Sequence, residues 1–435
     1  MEFCLGDFKE AIRNGFLHPN CLSYDYVDES KFEKFQNALD WKGNKVKETF
    51  LELQMRMGRN YFRNVVLAQV CTLDYAALHF PAYYFLLPED LSDDWLAIVD
   101  FHKKHARDHS LHQPLTAYVA ANLLGFGDAS RSLTIPAAPG NLLDYCVDVI
   151  LKEPNYITAS ARRYGIPDNM LENKLAARKF WRGLFYETVL LSALFHDIGY
   201  PWQYVNRVGK GLRKSVRRLH TSDGIVAHVI NDFKDRMFFL PLRGYQTRHE
   251  NEPIFEKEHL EELTEAAMET HGFPGAIAFI TLNDAIRKSV VTCPSAIFQQ
   301  FKVEWAAMGI FMHDMEGKHK ELFPKLFLKF DQDPLSSIIA LADYLEEFNR
   351  PKTQFVSRAR ESRMKYGIDC SKVKIDVSID GVMNVWMEYP KNANKALAAK
   401  IKKDETIDYF NPTNGYVDLS SLGIKEVVYS QICIK

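Results

Sequence analysis

Apolar residues recur three and four positions apart through much of the chain, the spacing of helices that each bury one face. From Lys31 to about Leu124 the pattern runs through "KFEKFQNAL", "VKETFLELQMRMGRNYFRNVVLAQV" and "PLTAYVAANLLG". Prolines and glycines interrupt it between Pro81 and Pro88 and again from Gly125 to Gly140. The same spacing predicts helices at Leu142–Lys152, Lys179–Phe195, Ile225–Lys234, Glu256–Glu269, Pro274–Lys288, Val303–His313 and Pro334–Phe348. Beyond Pro351 the period falls to two. "VKIDVSIDGVMNVWMEYP" alternates apolar and polar residues about a central "DG", which predicts a β-hairpin. A lysine- and alanine-rich helix from Asn392 to Lys403 follows, and "EVVYSQICIK" reads as a last strand. The expected fold is mainly α, a helical bundle with a small C-terminal α/β appendage over residues 356–435. No internal repeat and no low-complexity tract is visible.

The interruptions of this pattern carry the chemistry. His109 stands at the head of an amphipathic helix in "ARDHSLHQPLTAYVAANLL", and His196 and Asp197 close the apolar "LLSALFHDIGYP". His271 opens the small-residue stretch "THGFPGAIAFITL", and His313 ends the apolar "VEWAAMGIFMHDM". Asp343 is the interior acid of "DPLSSIIALADYLEEFNRP". A polar side chain at the edge of a buried stretch costs free energy unless something pairs with it. A lone histidine is usually an ordinary core or surface residue. Six such residues on five predicted helices point instead to a shared polar centre inside a bundle, the way bundles build metal sites.

Composition narrows the choice of ligands. The 435 residues are 47% hydrophobic and 25% charged, as in ordinary globular chains, and the net charge is −2. That charge offers no bulk field toward nucleic acid or an acidic membrane, so a polynucleotide substrate is disfavoured. The seven cysteines are scattered with no CxxC pair, which predicts reduced thiols in a cytoplasmic protein and a metal held without thiolates. No apolar run approaches the roughly 20 residues of a membrane helix. The opening "MEFCLGDFKE" lacks the basic start and apolar core of a signal peptide.

The order His, His-Asp, His, His, Asp resembles the HD-domain metal-dependent phosphohydrolase superfamily. The matching stretches are "DHSLHQPLTAYVA", "LFHDIGYP", "HGFPGAIAFI", "AMGIFMHD" and "DPLSSIIALADYLEEFNRP", over roughly residues 95–355. The resemblance implies an HD-type domain at 95–355 with a charged insertion near 206–265. A helical region at 1–94 would pack on it, and the α/β segment at 356–435 would supply no catalytic group. It implies His109, His196, Asp197 and Asp343 as ligands of one metal, with His271 and His313 completing a two-metal centre bridged by Asp197. His220 and His249 compete with His271. Such donors suit Mn, Fe, Co, Ni or Zn, with Mg at a carboxylate-rich position.

The expected activity is hydrolysis of a nucleotide phosphoester through a metal-activated water. The alternatives are a deoxynucleoside triphosphohydrolase, a phosphodiesterase of cyclic or oligomeric nucleotides, a nuclease acting on single-stranded DNA, and a nucleotide sensor without turnover. No familiar subfamily signature is complete. Tyr200 stands where phosphodiesterase-like members often carry lysine, and "YPWQYVN" replaces the further histidines of triphosphohydrolases. Asp197, His112 and Tyr200 are the catalytic candidates, with His112 a proton donor or a structural hydrogen-bonder. "RVGKGLRKSVRRLH" offers Arg213, Arg217 and Arg218 to substrate phosphate, and Arg350 is a further candidate. The same run can equally be a solvated face, and it contains no P-loop. Exposed strand edges in the C-terminal segment call for cover from the helical body, a second copy of the chain or a partner protein.

Overall fold

The computed structural model describes residues 1–4, 6–8, 109–125, 132–137, 141–152, 156–164, 166–172, 174–197, 199, 270–277, 279–280, 294–314, 328–348, 370–389, 395–411 and 415–433. The helices expected before residue 95, the charged insertion and the predicted helices Ile225–Lys234 and Glu256–Glu269 lie outside them. Among the described residues the chain is mainly helical, and no helix is long and apolar enough to cross a membrane.

Seven helices are described: α1 (His109–Leu123), α2 (Leu142–Leu151), α3 (Tyr156–Arg163), α4 (Leu175–Phe195), α5 (Pro294–Met312), α6 (Pro334–Leu345) and α7 (Lys395–Phe410). Helix α4 contacts α1, α5 and α6, and α6 also packs on α1 and α5. These elements are apolar nearly all round where they meet, as a bundle interior requires. Every residue from Thr188 to Asp197 is buried, and so is every residue from Phe301 to Asp314. Close approach of α4 and α5 rests on Gly309, whose absent Cβ would lie 2.8 Å from Ser192 Oγ. Ser192 donates across the same contact to Ala306 O at 2.9 Å. Further along the pair, Trp181, Phe185, Phe301 and Trp305 meet edge-on or tilted, the geometry that aromatic quadrupoles favour. Helix α6 starts cleanly: Asp333 accepts from Ser336 N–H, and Pro334 occupies the first turn, where its missing N–H is not needed.

The strands are β1 (Glu2–Cys4), β2 (Leu328–Lys329), β3 (Lys372–Val377), β4 (Val382–Tyr389), β5 (Val417–Asp418) and β6 (Glu426–Cys433). The expected hairpin is β3–β4, and it turns through Ile379–Gly381 with Gly381 at φ +86°, a left-handed position that glycine fills without strain. One face of β4 (Met383, Val385, Met387, Tyr389) is buried while the intervening residues are partly covered. The connection from β4 through α7 brings β6 alongside β4 in parallel.

Two features depart from an appendage. The sheet order is β1-β3-β4-β6, so residues 2–4, expected to belong with an N-terminal helical region, pair antiparallel with β3. Phe8, a few residues on, is fully buried with its ring 5.3 Å from Tyr118 of α1. The C-terminal segment is also pinned to the helical body at several points. Strand β5 pairs in parallel with β2, Cys370 N–H donates to Glu347 O at 3.2 Å, and Tyr145 OH donates to Ser421 O at 2.8 Å. Tyr416 OH donates to the carbonyl of Met312 at the end of α5. The α/β segment, whose helix α7 also packs on β6, is therefore joined to the bundle by strand pairing and hydrogen bonds.

A chain ended near residue 360 is expected to aggregate or to melt without cooperativity, since it would expose β1 and the ends of α5 and α6. Circular dichroism and light scattering check this. A soluble truncate with an unchanged melting temperature would show that the segment is dispensable.

Candidate metal centre

Five segments deliver six polar side chains to one point in the bundle. His112 comes from the second turn of α1, His196 and Asp197 from the end of α4, and His271 from the head of a helical turn at 272–277. His313 follows α5, and Asp343 lies in the last turn of α6. Every one of them except Asp343 is buried, and Asp343 is the least covered at 14% exposure. The donor atoms form three overlapping triads: His112, His196 and Asp197; His196, His313 and Asp343; Asp197, His271 and His313. Within each triad the donor atoms lie within 4.8 Å of one another, close enough to hold a metal ion.

The orientation of the four rings is fixed from behind. His196 Nδ1 lies 2.7 Å from Ala193 O and His313 Nδ1 lies 2.6 Å from Ile310 O. A carbonyl oxygen only accepts, so both Nδ1 atoms carry the proton and both Nε2 atoms present a lone pair inward. His271 Nδ1 faces Asp314 Oδ2 at 2.8 Å, and that carboxylate also accepts the His271 backbone N–H at 2.7 Å. His112 Nδ1 bonds Glu346 Oε2, while Glu346 Oε1 accepts Phe348 N–H at 2.9 Å. Such outer partners are what orient histidine ligands in metal sites and raise their basicity.

Inside the ring of donors the contacts are close. His112 Nε2 lies 3.1 Å from His196 Nε2, 3.0 Å from Asp343 Oδ1 and 3.4 Å from Asp197 Oδ2. His271 Nε2 lies 2.9 Å from His313 Nε2 and 2.9 Å from Asp197 Oδ1. Burial pulls the pKa of His271 down, but Asp314 and Asp197 outweigh it and hold the ring up at about 9. His313 moves the other way: burial lowers it, helped by the neighbouring rings of His196 and His271, against the hydrogen bond to Asp197. Positive charge is thus strongly favoured between Asp197 and His271. A proton can supply it at one point; a metal ion satisfies several converging lone pairs and two carboxylates together.

The chain after Asp197 must pass very close to this cluster. A Cβ on Gly199 would stand 1.8 Å from the carbonyl oxygen of His271 and 2.5 Å from Gly275 N. Only glycine allows that approach.

Of the residues expected from the sequence, His196, Asp197, His271, His313 and Asp343 meet here. His109 opens α1, but its side chain is outside the described residues, and the ring at the cluster on that helix is His112, one turn deeper. Both nitrogens of His112 face partners within the site. Tyr200, His220, His249, Arg213, Arg217, Arg218 and Arg350 lie outside the described residues. The residues not anticipated are the supports. Glu346 and Asp314 were within reach of the reasoning used for the ligands. Each is an acid closing an apolar helix, Glu346 three residues after Asp343 and Asp314 beside His313. Gly199 had only its place after the His-Asp pair to mark it.

Comparison with protein-family models, with curated proteins and with solved structures finds no match to this chain.

Two measurements check the centre. Titration with Co(II) or Mn(II) should show one or two equivalents bound, and Asp197→Ala, which removes the carboxylate common to two triads, should abolish most of that binding. Gly199→Ala should displace His271 and remove binding that depends on it while the rest of the bundle still folds; a variant with unchanged stoichiometry and affinity would contradict the packing described above.

Proposed function

We propose that the chain is a metal-dependent phosphohydrolase of the HD type, acting on a nucleotide phosphoester. The observation that supports this most is the convergence of four Nε2 atoms, each locked by an outer partner, on the carboxylates of Asp197 and Asp343. The donor set contains imidazole and carboxylate but no thiolate, which fits Mn, Fe, Co, Ni or Zn. His112, His196, Asp197 and Asp343 would hold one ion, and Asp197, His271 and His313 a second. When bound, such ions supply Lewis acidity toward a phosphoryl oxygen and an acidified water as nucleophile.

The residues of the chain set the conditions for that chemistry. Outer hydrogen bonds from the four rings keep their inner lone pairs available without reorganisation, the preorganisation on which electrostatic catalysis depends. Burial of the cluster keeps the local dielectric low, so charge developing on a phosphoryl group would be felt strongly. Asp343, the most exposed of the six, marks the side from which a substrate could approach. Arg213, Arg217, Arg218 and Arg350 are the candidates in the sequence for binding phosphate oxygens, in the bidentate manner open to guanidinium.

The test is a turnover screen of nucleoside mono-, di- and triphosphates, cyclic dinucleotides and single-stranded DNA with Mn, Co, Fe and Mg. Turnover by the native chain that disappears in Asp197→Ala is the expected result. Tight nucleotide binding with no turnover under any metal would make the chain a sensor rather than an enzyme. With a substrate in hand, replacing Arg213, Arg217 or Arg218 by Ala should raise KM at unchanged metal content. Each lost charge-assisted contact should cost about 1.5–3 kcal/mol, and a KM unmoved in all three would make that segment a solvated surface.

A further inference from the structure

The side chain that holds His112 from behind, Glu346, is followed at once by a second buried acid, Glu347; the two are 1% and 3% exposed. Two carboxylates in succession at the buried end of α6 need compensating charge. It comes from the C-terminal segment. Lys402 of α7 is itself only 3% exposed, and its Nζ donates to Glu347 Oε1 at 2.7 Å. The same ammonium donates to Tyr344 O at 2.5 Å, capping a carbonyl in the last turn of α6, and sits 4.1 Å from the centroid of the Tyr344 ring. Tyr344 is gripped further by Thr406, oxygen to oxygen at 2.6 Å, and by the rings of Tyr409 and Phe410 at 5.9 and 4.9 Å. Tyr344 directly follows Asp343. One helix of the C-terminal segment thus clamps the single turn that gives the centre both Asp343 and the support for His112.

We propose that Lys402 is a positioning residue for the metal centre: its charge, delivered by docking of α7, holds the Glu346–Glu347 turn so that Glu346 and Asp343 face His112. The proposal rests on the reading of the cluster as a metal site. It gives the C-terminal segment a part in assembling that site while leaving every metal ligand in the helical body. Removing the charge takes from Glu347 the ammonium that it accepts from. The turn then moves outward, and the grip on His112 loosens. Removing the charge together with the Glu347 carboxylate restores the balance and leaves Glu346 to its ring.

The experiment is Co(II) titration of the full-length chain by calorimetry and by the visible absorption of the bound ion. It compares the native protein with Lys402→Met, Lys402→Gln, Lys402→Arg, Glu347→Gln and the double variant Lys402→Met/Glu347→Gln. Loss of an outer partner of a ligand weakens metal binding about 10–100-fold, and Lys402→Met and Lys402→Gln should fall at or near the lower end of that range. Lys402→Arg, Glu347→Gln and the double variant should stay within about threefold of the native affinity. Lys402→Gln keeps a donor for Tyr344 O, so it reads the charge even where Lys402→Met fails to fold. Native affinity in Lys402→Gln overturns the proposal, as does a double variant that binds no tighter than Lys402→Met and Lys402→Gln, which would mean that Lys402 serves packing alone. A native protein that binds no Co(II) overturns the metal centre itself, a result distinct from either of these.

Discussion

Four imidazole Nε2 atoms meet in two pairs at 2.9 and 3.1 Å beside the carboxylates of Asp197 and Asp343, and the surrounding bundle is arranged to hold that crowding of polar atoms. The carbonyls of Ala193 and Ile310 and the carboxylates of Asp314 and Glu346 set the ring orientations before any cation arrives. Those supports exist only because α4, α5 and α6 end or turn where they do. The two histidines held by backbone carbonyls each bond the residue three positions earlier, so the closing turn of a helix is itself the support. A histidine at the end of a buried helix is thereby given its tautomer by local geometry, without help from a distant residue.

That local logic explains which parts of the site could be read from the amino-acid sequence. His196, Asp197, His313 and Asp343 interrupt or end strongly apolar helices, and such interruptions stand out because burial makes them expensive. His271 was less distinct, since the residues before it form no clear apolar helix. The first histidine illustrates a different limit. His109 and His112 are three apart on one helix, nearly the same face, and periodicity alone does not say which turn reaches the centre. The described ring on that helix is His112, which packing of α1 on α4 and α6 brings to the cluster. The hairpin, α7 and the last strand were legible from the change of period after residue 351. Pairing of β1 with β3 was not, because a three-residue strand carries too little pattern to announce a partner so distant in sequence.

The integration of the C-terminal segment has the same origin as the centre's need for charge. Helix α7 packs on β6 and covers the end of α6, which presents two acids and a run of aromatic contacts. Apolar burial and charge balance are met by one docking event. Among the described residues the buried side chains of the helices and of the sheet belong to one cluster.

The pairing of β1 with β3 also sets a schedule for synthesis. Cys4 lies opposite Lys372 in the sheet, so the strand at the start of the chain waits for a partner made some 370 residues later. At roughly 5–20 residues per second on the ribosome, that interval is about 20–70 s. Throughout it, Phe3 and Phe8 are without the sheet that will cover them, and the turn carrying Asp343 emerges before the helix that clamps it. The turn that carries Asp343 and Glu346 is thus made before the residues of α7 that clamp it, and a nascent chain stalled between them would carry that turn without its clamp.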